Sequence, residues 1–532
     1  MFGSEASYDP PVVRARIEIG CLQKRLWRRQ RKLIAASVLG ANADFRSYEA
    51  RYERRTRSFL REAAFSELLE AIARADLVYV GDYHTLKQAQ RSFLKLVQRR
   101  SAQRPLVLAL EFVQGRHQSA LDAFLAGRLP EDRFLAAIEY ARHSVFDTWS
   151  HFKPIFDEAR RQKLPVIGID RMAGSLRDRD RYAARRIATA VRQHPAAQVF
   201  TLAGQLHVAP PHLPQAVADE LGEPREPLTV YQNCERIWWE LERDGRELEV
   251  EACVVRPGEW CLINTPPTVV QQSYLDWIEG GAQPLESGHL EARFRMLART
   301  VARFLGLETA QLKAALEHVA VYTAGDLSFL DALPASARER RQIERQILSR
   351  ESYYIPRARV AYLANLSVNH AAEEAAHFVR HVVSGASSDE PRALPDAFYA
   401  RTLEEAYAFF GSKIVNPRRK CPHEPEFERL ARSGDRFTRE VARLVLEHRA
   451  AERGRLRPKS AAATSGDLFN AVTHSLGYML GERIYYALAT GRLLKREVRD
   501  LFLDPLSDIG AAFLTYLDLS RRLADVRIPQ RA

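Results

Sequence analysis

The chain has 532 residues, a formal net charge of +12, 46% hydrophobic residues and 27% charged residues. That length exceeds one ordinary domain and predicts two or three, and the composition is globular rather than low-complexity. No apolar run reaches the length of a membrane span, and five scattered cysteines without a C-x-x-C pair argue against a disulfide framework or a cysteine-built zinc site.

The first 60 residues carry 13 Lys/Arg against 6 Asp/Glu. Residues 1–72 read as a basic helical arm, whose charge suits nucleic acid, acidic lipid, an acidic partner or simply solvent. No nucleic-acid motif accompanies it, so nucleic acid is not an expected partner. The stretch "KRLWRRQRKLIAASVLGANA" imitates a signal peptide. Its apolar part is only about nine residues long and it reads equally as an amphipathic helix, so the expectation is a cytoplasmic protein.

From 73 to 288 the texture becomes an alternation of strands and helices. The runs "LVYVG", "LVLALEF", "PVIGID" and "VFTLAG" are short and rich in Val, Leu and Ile, as suits strands buried on both faces. A helical stripe of Leu86, Ala89, Phe93 and Val97 follows the first, and another helix lies within 140–161. "LTVYQN" and "EWCLINT" read as later strands. The prediction is a mainly parallel sheet flanked by helices.

The polar candidates share one kind of position. His84 follows the first strand, Glu111 ends the second, His207 follows "VFTLAG", and Arg179 and Asp180 open the helix after "PVIGID". In an open parallel sheet such residues converge outside the carboxyl ends of the strands. Gly81 and Gly204 are expected to permit the turns that carry each histidine over the sheet edge. Two imidazoles and a carboxylate suit a divalent metal, or a general base tuned by Glu111. Arg179, on the same helical face as Ala183 and Ile187, suits an anionic ligand or neutralises Glu111 or Asp180.

Two copies of G-x-x-H, a strand-end Glu and an Arg-Asp helix start resemble the Tiki superfamily, which joins ChaN-like haem-binding lipoproteins, erythromycin esterases and TraB/Tiki metalloproteases. "VYVGDYHTLKQAQRSFLKLV", "LALEFVQGRHQSALDAFLAGRL", "WSHFKPIFDEARRQKLPVIGID" and "GQLHVAPPHLP" are most similar to the ChaN-like haem-binding domain, over about 76–215. The resemblance implies a site of His84, Glu111 and His207 supported by Arg179. The implied ligand is haem iron, or in the hydrolytic branches a water activated by histidine and glutamate. Tyr83 and Tyr140 are further axial candidates. The sequence departs from the ChaN pattern in lacking a lipoprotein signal and a second histidine after the first motif, where Lys87–Gln90 reads "KQAQ". His117, His143 and His151 also fall in this region.

From 289 to 532 the pattern is almost wholly helical and predicts a separate all-α bundle. "LANLSVNHAAEEAAHFVRHVV" sets His370, Glu374, His377 and His381 on one helix face. Glu374 and His377 have the E-x-x-H spacing of metal-carboxylate bundles. The local apolar side (Ala371, Ala375, Phe378, Val379) faces away and favours a solvated stripe, whereas the same stripe one turn upstream is Leu363 and Leu366. A second helix offers His474, Tyr478, Glu482 and Tyr485, with Gly477 and Gly481 allowing close approach. These residues read as a structural polar stripe, a metal or cofactor site, or a docking surface. For the whole chain the readings are a haem- or metal-binding protein, a metal-dependent hydrolase using the same residues, or a non-catalytic partner-binding module.

Overall fold

A computed structural model describes residues 11–36, 43–100, 104–140, 148–280, 287–323, 326–333, 336, 340–341, 343–344, 352–364, 367–386, 392–454 and 466–529. The chain divides into two compact units, residues 27–284 and residues 1–26 together with 285–529. Among the described residues no helix is long and apolar enough to cross a membrane.

The first unit is built on an eight-stranded sheet. Its strands are β1 (Arg61–Ala63), β2 (Leu77–Asp82), β3 (Leu106–Gln114), β4 (Val166–Asp170), β5 (Gln198–Gly204), β6 (Pro227–Gln232), β7 (Ala252–Arg256) and β8 (Glu259–Leu262). The order is β1-β7-β8-β6-β2-β5-β3-β4. The six strands from β8 to β4 run parallel, and β7 and β1 add an antiparallel edge. Strand alternation sends Val78, Val80, Leu108 and Leu110 to one face and Leu77, Tyr79, Val107 and Ala109 to the other. Helices cover both faces, so β2 reads as a continuous apolar run. Each such side chain fully buried contributes about 1.5–3 kcal/mol.

The segment read as an arm is partly built into this unit. Tyr48 and Tyr52 of the helix Ala43–Arg55 are buried, and Tyr52 belongs to a core cluster of the sheet. Gln30 donates to Thr268 O at 3.0 Å. The helix turns its arginines outward and its tyrosines inward, which explains why a charge count alone gave a solvated arm.

Topology sets the position of the cleft. The chain leaves β3 towards β4 on one side and leaves β5 towards β6 on the other. The crevice beyond the carboxyl ends of β3 and β5 is therefore the topological switch point of the sheet. There the ladder is irregular: Leu110 pairs with Gly168 and Gln114 with Asp170, so β3 has two more residues than β4 across this interval. Bulges of this kind re-aim side chains, and Glu111 lies within this one.

The second unit is mainly helical. Its helices Leu394–Val415 and Asp467–Ala489 approach closely: a Cβ on Gly481 would lie 2.3 Å from Ala406 O, and one on Gly477 2.4 Å from the Glu405 Cβ. The helical unit also carries a three-stranded sheet that its helical spacing does not forecast. β10 (Tyr353–Ile355) lies antiparallel to β11 (Val360–Leu363), which lies parallel to β9 (Ala320–Thr323). Leu363 is thus a strand residue, and the helix with the histidines begins only at Val368. Leu366 lies outside the described residues.

Candidate functional site

His84 sits in the turn between β2 and the helix Lys87–Arg99. Its Nδ1–H donates to Asp82 Oδ2 at 2.7 Å, and its Nε2 lies 3.9 Å from Glu111 Oε2. Asp82 is buried and its other oxygen accepts from Gln90 Nε2 at 2.5 Å, so the ring orientation is fixed from behind. Half of the His84 side chain stays open to the cleft.

His207 is the buried counterpart. Its Nδ1–H donates to Asp180 Oδ1 at 2.5 Å, and its Nε2 lies 3.8 Å from Glu111 Oε1. Asp180 also accepts from the Tyr48 hydroxyl at 2.8 Å. The helix Leu176–Gln193 is capped by Ser175, whose hydroxyl accepts from Asp178 N–H. One turn in, Arg179 donates to Glu111 Oε1 at 2.7 Å and to Asp170 Oδ1 at 2.7 Å. Glu111 Oε2 accepts the Gly204 N–H at 2.5 Å. The two histidines, Glu111 and Arg179 thus lie together in one cluster. Arg179 neutralises Glu111 and Asp170, while Asp180 belongs to His207.

Burial opposes charge throughout the cluster, and the partners outweigh it. For His84 the bond to Asp82 and the charges of Asp82 and Glu111 raise the pKa to about 9. Burial likewise opposes charge on His207, but Glu111 and the bond to Asp180 raise its pKa too. Burial pushes Glu111 up, yet His207, His84, Arg179 and the Gly204 amide bring it down to about 2. For Asp170 burial and the Glu111 charge prevail, and its pKa is raised.

The glycines act differently from the expectation. Neither Gly81 nor Gly204 has a left-handed φ. Gly81 instead makes room for Gln205, whose Oε1 would lie 1.9 Å from an added Cβ. Gly204 lets its amide reach Glu111, with His84 Nε2 only 3.6 Å from where a Cβ would stand. Gly81 thus requires close approach rather than a turn, whereas a Cβ on Gly204 would make ordinary contacts.

A cleft of about 1220 Å³ opens over the cluster. Apolar and aromatic side chains line it, among them Trp27, Phe45, Phe112, Ile138, Phe152, Met172, Leu176 and Trp239, together with basic Arg31, Arg57, Arg236 and Arg243 and acidic Asp44, Glu49, Glu53, Glu235 and Glu240. Tyr83 and Tyr140 line it as well, but neither is placed as an oxygen donor. Tyr83 packs with Leu86, Ala89 and Val270, and burial holds its pKa well above the usual range. The Tyr140 oxygen accepts Trp149 N–H at 2.7 Å and so supports the start of the helix Trp149–Gln162. His117, beside Arg116, and His151 stand outside the cleft lining, and His143 lies outside the described residues.

Sequence reasoning missed Asp82, Asp170 and Tyr48. The signal for the first was present: in "GDYH" an aspartate at the strand end precedes the histidine by two residues. Tyr48 is 132 positions from its partner Asp180, and no local pattern joins them.

In the helical unit the histidine stripe is partly solvated: His370, His377 and His381 are half-buried on a helix whose other side chains are mostly buried. His370, Glu373, Glu374, His377, His381, Glu405 and His474 line a separate cavity of about 240 Å³. Glu373 and Glu374 are buried. His474 Nδ1 lies 3.1 Å from Glu405 Oε2, and Arg401 holds the other oxygen of Glu405 at 2.6 Å. The helix buries nearly its whole circumference, so its local apolar side does not reveal an outward face. Glu482, one turn beyond Tyr478, leaves this cavity. It lies with Lys413, Cys421 and His423.

Residues 68–178 match the family described as haem-binding uptake, Tiki superfamily, ChaN. The match includes Asp82, His84, Glu111 and Asp170, stops one residue short of Arg179 and does not reach His207. A solved structure described as "Cofacial heme binding to ChaN of Campylobacter jejuni" is similar over 32% of this chain and 86% of that chain, at 13% identity and a TM-score of 0.26. No curated protein matches the chain in sequence.

Proposed function

We propose that the α/β unit binds haem in the cleft over β3 and β5, with His84 as the donor to iron. The carrying observation is the state of that imidazole: its Nδ1 is fixed by Asp82 while half of its side chain faces a 1220 Å³ cleft. An axial histidine is normally backed in this way by a carboxylate on its other nitrogen. The cleft exceeds the range of about 300–1,000 Å³ that serves drug-sized ligands, so its volume accommodates a macrocycle. Its aromatic lining fits an apolar ring, and Arg57 and Arg236 on the lining fit that ring's carboxylates. The matched family description names the same ligand.

Bound haem would supply an iron centre whose reactivity is set by its axial donor. The chain's own residues do the rest. Asp82 keeps the His84 ring in place, and Nε2 gives up its proton on ligation. Glu111, tied by Arg179 and Gly204, keeps a negative charge in the cleft lining close to His84. His207, oriented by Asp180, stands 3.8 Å from the other Glu111 oxygen and adds a positive neighbour to it.

A second reading, hydrolysis of an ester or amide, is supported by the two carboxylate–imidazole pairs, Asp82–His84 and Asp180–His207. Against it, both Glu111 oxygens are already engaged, by Arg179 and by the Gly204 amide. Titration of the purified protein with haemin separates the two. Haem binding predicts a Soret band that saturates at a fixed stoichiometry and whose wild-type position is lost in His84→Ala. A protein that leaves haemin free but cleaves a p-nitrophenyl ester, with activity lost in His84→Ala and His207→Ala, contradicts it and favours the second reading.

A further inference from the structure

The helical unit contains a second set of converging donors that the haem reading does not use. Cys421 Sγ lies 3.2 Å from Glu482 Oε2, and His423 Nε2 lies 2.9 Å from the same oxygen. One thiol, one imidazole and one carboxylate oxygen therefore lie within 4.8 Å of one another.

Local sequence explains the convergence. The order is Cys421-Pro422-His423. A proline restricts the preceding residue to extended backbone, and in an extended chain residues two apart face the same side. His423 is itself extended, at φ −113° and ψ 177°, just before the helix Glu424–Ser433. Its backbone N–H donates to Glu426 Oε2 at 3.1 Å, which fixes the end of the segment. Glu482 comes from the long helix Asp467–Ala489. Its other oxygen accepts from Lys413 Nζ at 2.9 Å, and Lys413 is wholly buried and donates also to Arg419 O at 2.8 Å. The lysine thereby turns Oε2 towards the thiol and the imidazole, as an outer partner orients a metal-binding carboxylate.

We propose that Cys421, His423 and Glu482 form a binding site for a borderline-soft divalent cation of the zinc or cobalt type. Sulfur, nitrogen and oxygen together select this class over magnesium or calcium, which take oxygen alone. Tetrahedral zinc at 2.0–2.3 Å from its ligands holds them roughly 3.4–3.7 Å apart. The two separations from the Glu482 oxygen, 3.2 and 2.9 Å, would lengthen to reach that spacing, while the thiol and the imidazole already lie within 4.8 Å of each other. Binding replaces two protons: that of the thiol, released to solvent, and that on His423 Nε2, released to solvent or moved to Nδ1 as the ring changes tautomer; the carboxylate then ligates the cation instead of accepting from the thiol and the imidazole. A third of the His423 side chain is exposed, so the ion has a route in and a fourth position remains for water. Three protein ligands with an open position is the arrangement of reactive rather than purely structural zinc.

The test uses the full chain, stripped with a chelator and titrated with Co²⁺. The expected result is one equivalent bound with near-ultraviolet thiolate-to-cobalt charge transfer and tetrahedral visible bands. The charge-transfer band should disappear in Cys421→Ser, and His423→Gln should weaken binding by about 10–100-fold or more, whereas His377→Ala and His84→Ala should leave both intact. A wild-type titration without charge transfer, or a band that persists in Cys421→Ser, overturns the site. A measurement without variants guards against misfolding. Zn²⁺ should slow alkylation of Cys421, followed by peptide mass spectrometry, while that of exposed Cys21 is unchanged; equal rates with and without zinc also overturn it.

Discussion

The cleft of the α/β unit and the polar cavity of the helical unit use the same residue types and shift their histidines in opposite directions. Over the sheet, His84 and His207 have raised pKa values because Asp82, Asp180 and Glu111 stand against them. In the helical cavity, burial holds His370, His377 and His381 below their ordinary value and prevails over nearby glutamates. There the arginines take the carboxylates: Arg419 binds Glu373 and Arg401 binds Glu405. Glu374, beside Glu373 and Glu405, is pushed well up by burial and by those like charges. The direction of a histidine's shift therefore follows from whether a carboxylate bonds its ring closely enough to outweigh burial, as Asp82 and Asp180 do, and a sequence stripe of His and Glu does not by itself reveal it.

The largest expected effect breaks the first half of that comparison. Glu111→Gln leaves His84, His207 and Arg179 around a neutral amide, and losing one partner of a buried charge cluster costs about 3–5 kcal/mol. Denaturant unfolding followed by a probe in the α/β unit should show this loss, while the pKa of His84 falls towards 6.5. Gly481→Ala tests the other unit. The added methyl meets Ala406 O, and overpacking of this kind costs about 1–3 kcal/mol. Thermal unfolding of the helical unit should move down with haemin binding unchanged; a coupled loss of haemin binding would blur the comparison. Ser175→Ala removes the cap of the helix carrying Arg179 and Asp180, at a cost of about 1 kcal/mol. Calorimetry should place that loss in the α/β unit alone.

The smallest effect is a pH profile of the haem-free protein. The folded-state pKa of His84 is raised to about 9, so its stabilising contribution is complete below 6.5 and is lost as pH rises through about 9. That of Glu111 is lowered to about 2, so its contribution is complete above 4.5 and is lost as pH falls through about 2. The denaturation midpoint of the α/β unit should therefore decline on both sides of the interval 4.5–6.5. In His84→Gln the decline on the alkaline side, between 6.5 and 9, should shrink; an unchanged profile would remove His84 from the charged cluster.

Much of the α/β unit was legible in the sequence, because strands buried on both faces are short Val/Leu/Ile runs and their ends converge by topology. His84, Glu111, His207 and Arg179 could be placed together on that ground alone. The glycines that let two helices touch at Gly477 and Gly481 were legible too. What escaped was set by distant partners or by short elements. The strands Tyr353–Ile355 and Val360–Leu363 are too brief to display alternation. Glu482 was singled out, but its partners Cys421 and His423 are about 60 positions away, so it was grouped with His474 on its own helix. The burial of Tyr48 and Tyr52 was hidden by the arginines around them.

The most direct test of ligation by His84 is chemical rescue in His84→Gly. Haemin should bind this variant without the wild-type axial spectrum, and added imidazole should restore the wild-type electron paramagnetic resonance and Soret signatures. A variant whose haemin spectrum equals that of the wild type before any imidazole is added would contradict ligation by His84.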